Sequence, residues 1–207
     1  MNSTLAREGA YRLLAACFYT PDTVLLEERP WKALATVLRQ LSPVAAQQVG
    51  RMEAAAETDC STLVVEHARL FIGPFALVAA PYGSVYLDPG RTVMGDSAVK
   101  VEAFYRQYGL SLDEDMHEPP DHIAIELEFM AQLAFKEEEA GAAGDEVLRK
   151  GLVAAQGEFL RTFLLPFARP FGKAIIDDGE SPFYIALAQG MLHFLEADAT
   201  RLASSGR

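Results

Sequence analysis

The sequence predicts an all-α protein of about eight to nine helices. Apolar residues recur at helical spacing over most of the chain, and capping or breaking residues delimit these runs. No two segments show the paired apolar–polar alternation that is typical of strands. A chain of 207 residues can bury one substantial core, so residues 1–207 are expected to form a single helical domain.

The first predicted helices are delimited by capping and breaking residues. Ala10 and Leu14 lie on one apolar stripe of the first helix, which Thr4 or Ser3 can cap and Pro21 ends. The predicted helices in this part of the chain cover residues 4–19, 31–41, 43–58 and 62–71.

The second half of the chain repeats these patterns. Asp96 is expected to cap a helix that Gly109 ends, and Ser181 with Pro182 forms an N-cap and N1 pair. The predicted helices here cover residues 96–109, 121–138, 146–164, 166–176 and from 182 through 195.

A long connection over residues 72–95 separates the two halves. It is rich in glycine, proline and aromatic residues, among them Phe75, Tyr82 and Tyr86. Its short segment 84–87 (SVYL) has a strand-like composition. Long connections inside compact domains are usually functional, so this one is a candidate binding loop.

Composition excludes several classes of protein. The net charge of −11 disfavours nucleic acid and anionic membrane as partners. Cys17 and Cys60 form no CxxC motif, which favours a reducing compartment and a cytoplasmic location. The sequence has no secretory signal pattern near its start, no run of about 18 apolar residues, and no phosphate loop, GxSxG or HExxH motif.

The acidic corner at residues 109–121 overlaps the start of an unusual stretch, MHEPPDHIAIELEFM, at residues 116–130. Either Pro120 is the first residue of the next helix or Asp121 is its N-cap. His122 gains nothing from a helix N-terminus unless a carboxylate pairs with it, and Asp121 or Glu126 could do so. Such a pair would make His122 responsive to pH.

The charge around this stretch has one sign. No Lys or Arg occurs between Arg106 and Lys136, whereas seven acids do: Asp113, Glu114, Asp115, Glu118, Asp121, Glu126 and Glu128. Carboxylates bind guanidinium groups bidentately, and aromatic side chains supply rigid apolar contact area. This combination favours a peptide with a basic end and an apolar body.

Two other interpretations use the same residues. His117, Glu118, Asp121 and His122 could hold a metal ion for a hydrolase, although no further nitrogen or sulfur ligand is near in sequence. Alternatively, the chain could be a structural helical subunit. No catalytic group, metal ligand or cofactor is assigned.

Several segments resemble a known family. EPPDH (residues 118–122) is similar to a signature of the TorD/DmsD/NarJ redox-enzyme maturation chaperones. The segments ARLFIGPFALVAAPYGSVYLD, GDSA and SPFYIALAQGMLHFL also resemble that family in order and spacing, from about residue 68 to residue 195. Within the family, the likeness is greatest to the dimethyl sulfoxide reductase chaperones.

The resemblance implies a cytoplasmic chaperone, not an enzyme, with an all-helical fold that is monomeric or a domain-swapped dimer. It implies binding of the twin-arginine signal peptide of a molybdopterin oxidoreductase, and assistance with cofactor insertion before export. The residues that it places at the peptide site are Glu118, Pro119, Asp121, His122, Tyr82, Ser84 and Tyr86.

Overall fold

A computed structural model of the chain describes residues 3–58, 60–73, 77–112 and 118–205. These residues form helices and no β-strand, which confirms the predicted all-α class. The α-helices are α1 (Ser3–Ala16), α2 (Thr23–Glu28), α3 (Pro30–Leu41), α4 (Pro43–Thr58), α5 (Cys60–His67), α6 (Ser84–Leu87), α7 (Asp96–Gln107), α8 (Ile123–Ala142), α9 (Glu146–Phe159), α10 (Leu165–Asp178) and α11 (Pro182–Ser205). They outnumber the predicted eight or nine because α2 and α6 are too short for apolar periodicity to predict.

Helix α8 lies at the centre of the bundle. Most of its side chains are buried, Ile123 and Leu127 among them, and one stripe through Gln132, Phe135 and Glu139 is exposed. A helix that is buried over most of its circumference is one that its neighbours largely enclose. Helix α1 packs against α8 and α3, α9 packs against α8, and α11 packs against α4 and α10.

Helices α9 and α10 form one continuous rod. A π-helical turn, Leu160–Leu164, joins them, and Leu160 and Leu165 both keep right-handed helical backbone angles. The predicted boundary between residues 164 and 166 is therefore wrong. Proline has no N–H and its ring clashes with the carbonyl four residues earlier in a regular α-helix, but the wider π-helical turn makes room for Pro166.

Two local details in the middle of the chain could not be predicted from the sequence. The segment Ser84–Leu87 has a strand-like composition but forms the helical turn α6. The prediction that Asp96 caps α7 is wrong, because Asp96 is the first residue of that helix and its N-cap, Gly95, makes no side-chain bond. The carboxylate of Asp88 takes the capping role, because it accepts hydrogen bonds from the Ser97 N–H at 2.9 Å and from the Ser97 hydroxyl at 2.8 Å.

A buried arginine ties four helices together. Arg7 of α1 donates to Asp198 at 2.6 and 2.9 Å, to Glu137 at 3.0 Å and to Gln156 at 2.5 Å, and Tyr11 donates to Asp198 at 2.8 Å. We call these five residues the arginine network. Although burial acts to raise the pKa of Asp198, the Arg7 charge holds it below its ordinary value. The network therefore joins α1, α8, α9 and α11.

Candidate functional site

The EPPDH stretch forms a corner in which the helix start differs from both predicted arrangements. Helix α8 begins at Ile123 and its N-cap is His122, whose Nδ1 accepts a hydrogen bond from the Ala124 N–H at 3.2 Å. Asp121 does not cap this helix. Its Oδ2 accepts a hydrogen bond from the Ser84 N–H at 2.7 Å, so its carboxylate serves the first residue of α6 instead. We call residues 118–122 the proline corner.

Backbone hydrogen bonds clip the proline corner to the turn before α6. The Gly83 N–H donates to the Asp121 carbonyl, and the Ile123 N–H donates to the Pro81 carbonyl, both at 2.8 Å. These bonds form an isolated antiparallel bridge between Tyr82 and His122. The two segments that the sequence singled out are therefore held against each other, although Tyr82 and His122 are about 40 residues apart in sequence.

Behind the corner lies a pair of buried carboxyl groups. Asp121 and Glu126 are both 0% exposed, as is Ser84 beside them. The Glu126 Oε1 would lie only 3.2 Å from a Cβ at Gly83, so no larger residue fits there without a shift. Within the described part of the chain, Ser84 Oγ, Asp121 Oδ1 and both Glu126 oxygens have no hydrogen-bond partner. We call Ser84, Asp121 and Glu126 the corner cluster.

The electrostatics of this cluster favour a protonated glutamic acid. Burial first, and then the negative charge of Asp121, raises the pKa of Glu126 well above its ordinary value. Desolvation penalises an ionised carboxylate that has no partner, and a nearby like charge adds to that penalty. The sequence located Glu126 on the face of His122, but its burial depends on how α8 packs.

His122 is held as a neutral ring. Its ring is stacked on that of Tyr19 at a centroid distance of 6.0 Å and meets the edge of Tyr82 at 5.6 Å. Burial, and then the charge of His67, lowers the pKa of His122 to about 4. The expected pairing of His122 with Asp121 or Glu126 is wrong, because no salt bridge joins them among the residues that the structure describes.

The predicted site residues divide into an exposed edge and a buried support. Tyr82, Glu118, Pro119 and Tyr86 are partly exposed. The Tyr82 hydroxyl donates to the Glu118 carboxylate at 3.2 Å. By contrast, the remaining site residues, Ser84, Asp121 and His122, are buried.

Tyr86 points its ring elsewhere. It packs on Phe167 of α10 at a centroid distance of 5.5 Å, and the guanidinium of Arg91 lies 5.9 Å from its ring centroid. Phe75, His117 and the acids at positions 113–115 lie outside the described residues.

A surface groove next to the proline corner was not predicted from the sequence. It has a volume of about 740 Å³ and runs between α1, α8 and the segment 110–112. Ile125, Phe129 and Phe135 of α8 contribute apolar surface to it, and Glu8 and Glu128 contribute carboxylates. Their spacing on α8 is helical, but the sequence does not show that Phe135 is half exposed whereas Ile125 and Phe129 are buried.

The described residues contain neither a metal-binding group of side chains nor a helix that could span a membrane. Within residues 3–58, 60–73, 77–112 and 118–205, no three His, Cys, Asp or Glu side chains are grouped so that they could hold a metal ion. Over the same residues, no helix has both the length and the apolar character required to cross a bilayer.

Comparison with known proteins identifies relatives. A sequence model of the nitrate reductase delta subunit family matches residues 28–172. The "Tat proofreading chaperone DmsD" of Salmonella paratyphi A is 33% identical over 121 residues, which cover 58% of this chain and 52% of that protein. The "Chaperone protein TorD" of Aliivibrio salmonicida is 30% identical over 141 residues, covering 68% and 64%. The chain thus spans only about half to two thirds of the length of these two relatives.

A longer match and a solved structure extend the comparison. The "Probable Tat proofreading chaperone DmsD" of Haemophilus influenzae is 30% identical over 198 residues, covering 91% of this chain and 88% of that protein. The crystal structure of a candidate redox enzyme maturation protein from Archaeoglobus fulgidus has the same fold, with a TM-score of 0.56, 22% identity, and coverage of 91% and 93%. The chain belongs to the nitrate reductase delta subunit family.

Proposed function

We propose, from the membership of this chain in the nitrate reductase delta subunit family, that it is a chaperone for a redox enzyme. In detail, it binds the twin-arginine signal peptide of the catalytic subunit of a molybdopterin oxidoreductase. It assists maturation and cofactor insertion before that subunit is exported. Binding before export requires that the chaperone act in the cytoplasm. The names of the relatives support the chaperone role.

The observation that carries the proposal is the exposed edge of the proline corner. Glu118 and Tyr82 are partly exposed and joined at 3.2 Å, so a carboxylate and an aromatic ring are presented together. Carboxylates bind the planar guanidinium in a bidentate manner, and guanidinium groups also stack on aromatic faces. An arginine-bearing peptide therefore finds both kinds of contact at one place.

The buried residues of the predicted site have a supporting role in this proposal. Asp121 holds the turn before α6 through the Ser84 N–H, and His122 caps α8 and packs between Tyr19 and Tyr82. Rigid support lowers the entropy that a surface loses when it binds a peptide. These residues thus position Tyr82 and Glu118 without touching the peptide.

The first experiment measures binding of a labelled synthetic twin-arginine leader by fluorescence anisotropy. At low salt, where charge attraction is least screened, we expect a Kd below about 100 μM, and weaker binding as salt is added. A leader with two lysines in place of the arginines should bind more weakly, because an ammonium group cannot form the bidentate contact. No measurable binding of the arginine leader at low salt would contradict the proposal.

Glu118→Gln tests the residue that faces the peptide. We expect a loss of affinity of roughly tenfold, since a charge-assisted hydrogen bond contributes about 1.5–3 kcal/mol. Glu139→Gln, at an exposed position near the end of α8, makes the same change in net charge and should leave the affinity unaltered. Equal losses for both variants would mean that only the overall charge of the protein matters.

A further inference from the structure

The groove beside α8 has an apolar floor and an incompletely covered aromatic ring. Ile125 and Phe129 form buried parts of the floor, whereas Phe135 is 45% exposed. The helix rises about 15 Å from Ile125 to Phe135. Exposed apolar surface that lies in a concave site, and not singly on a convex surface, marks a place where another molecule binds.

Tyr19 connects this groove to the proline corner. Its ring is stacked on His122 of the corner. Burial first, and then the charges of Glu128 and Glu118, raises the pKa of Tyr19, so carboxylates of the groove and of the corner both lie near its hydroxyl. Tyr105 makes a second connection, because its ring lines the groove and its hydroxyl donates to the Pro120 carbonyl at 2.8 Å.

The charges at the groove are unequal along its length. Arg12 is paired with Glu8 at 3.1 Å, so these two rim charges offset each other. Glu128 forms no ion pair with any other described residue. The end of the groove that adjoins the corner therefore keeps negative charge, and the rest of its surface is largely apolar.

We propose that the groove receives the apolar segment of the leader peptide whose arginines bind at the proline corner. This inference rests on the proposed function and adds the place and the order of the contacts. Arginines lie between Glu118 and Glu128, around Tyr19, and the apolar segment follows along α8 toward Phe135. A floor of about 15 Å accommodates roughly ten helical residues of the peptide, which corresponds to an amphipathic helix bound in a groove.

The experiment uses the full chain and two synthetic leaders. One leader is complete, and the other keeps its arginines but has serine and asparagine in place of the apolar segment. Phe135→Asn should weaken binding of the complete leader at least fivefold and leave the weaker binding of the substituted leader unchanged. Val147→Asn, which removes an apolar side chain that is 85% exposed on α9, should change neither affinity.

The outcomes separate the inference from the proposed function. If the unmodified protein binds the complete leader and Phe135→Asn binds it equally well, the groove is not used although the proposed function stands. Equal weakening of both leaders would also overturn the inference, because the effect would not depend on the apolar segment. If neither leader binds the unmodified protein, both ideas fail. Light scattering that shows a dimer lost in Phe135→Asn would assign the groove to a second copy of the chain.

Discussion

The arginine network and the corner cluster are both buried and both contain acidic side chains, but they differ in how their polar atoms are satisfied. In the network, the Asp198 carboxylate accepts hydrogen bonds from Arg7, Tyr11 and Arg201. In the corner cluster, three of the four oxygens of Asp121 and Glu126 have no partner among the described residues. The carboxylate of Asp198 in the network is therefore hydrogen-bonded as buried groups usually are, whereas the corner cluster keeps buried carboxyl oxygens without hydrogen bonds.

We relate this difference to two roles: the arginine network stabilises the fold, and the corner cluster supports the surface that we propose for peptide binding. A buried charge that is fully paired is costly to break, whereas an unpaired buried acid costs folding free energy while it remains. Buried orphan groups are rare in native proteins and each requires a physical explanation. The corner cluster lies directly behind the surface that we assign to the peptide, whereas the arginine network joins α1, α8, α9 and α11. Burial alone does not reveal which role a charged group has.

The largest effect is expected when the network loses its cation. Arg7→Ala removes the buried cation that Glu137 and Asp198 share and leaves Asp198 with only Tyr11 and the partly exposed Arg201, so the free energy of unfolding should fall by about 3–5 kcal/mol. Arg12→Ala on the same helix removes an exposed arginine and its pair with Glu8, which should cost less than about 1 kcal/mol. Urea unfolding measures both. A comparable loss in the two variants would show that the network does not stabilise the bundle.

The second prediction concerns acid and His122. The unfolded chain protonates a histidine near pH 6.5, whereas the folded protein does so only at a pKa of about 4. Stability is therefore lost as the pH falls from about 6.5 to about 4, by roughly 2–3 kcal/mol from this residue. His122→Asn keeps an acceptor for the Ala124 N–H and removes the titration, so its unfolding free energy should fall less over that range.

The control for this prediction is the exposed His193 on α11. His193→Asn should lose stability in acid as the unmodified protein does. The prediction fails if His122→Asn shows the same acid dependence as the unmodified protein in urea unfolding.

The third prediction concerns Glu126, whose contribution to stability changes with pH in the opposite direction. Its folded pKa is raised, so the folded state holds a proton that the unfolded state releases above about pH 4.3. Stability therefore decreases as the pH rises, by up to about 1.4 kcal/mol per pH unit until the folded pKa is reached. Glu126→Gln should therefore become more stable relative to the unmodified protein as the pH rises from 5 to 7.

Glu139→Gln on the exposed side of α8 is the matched variant for Glu126→Gln. Its difference from the unmodified protein should be small and should not change with pH. A constant difference for Glu126→Gln would mean that this carboxyl group is ionised in the fold, contrary to its lack of partners.

The smallest expected effect compares two serine hydroxyls. Ser84 Oγ is buried without a partner, so Ser84→Ala should change the unfolding free energy by less than about 0.5 kcal/mol. The Ser181 hydroxyl caps α11 by accepting a hydrogen bond from the Tyr184 N–H at 3.3 Å. Ser181→Ala should cost about 1 kcal/mol. Thermal melting ranks the two variants, and a larger cost for Ser84→Ala would reveal a bond that the hydroxyl makes.

The sequence predicted helices well where the residues that define a helix are close together in sequence. Apolar periodicity depends on neighbouring turns of one helix, and the Ser181–Pro182 start of α11 depends on local geometry. Arg7 could also have been noticed, since it shares a stripe with Ala10 and Leu14, where a charge is out of place. Its partner Asp198 could not, because 191 residues separate the two.

At the proline corner, the local roles that the sequence predicted for Asp121 and His122 are wrong. Asp121 was expected to act on its own helix, whereas its carboxylate reaches the Ser84 N–H, 37 residues away in sequence. His122 then provides the cap that Asp121 leaves vacant. The residues around Asp121 cannot show whether its carboxylate accepts a hydrogen bond from the N-terminus of its own helix or from a backbone N–H that is distant in sequence, because both donors suit a carboxylate.

The π-helical turn at Leu160–Leu164 determines in which direction the side chains of α10 point relative to those of α9. Successive residues of an α-helix are rotated by about 100°, and a π-helical turn holds one residue more than the α-helical turn it replaces. Deleting a single residue there would turn Phe167 by about a quarter of a revolution away from Tyr86, whose ring it now supports. Gain or loss of one codon in this turn would therefore change the support of the Tyr86 ring while leaving α9 in place.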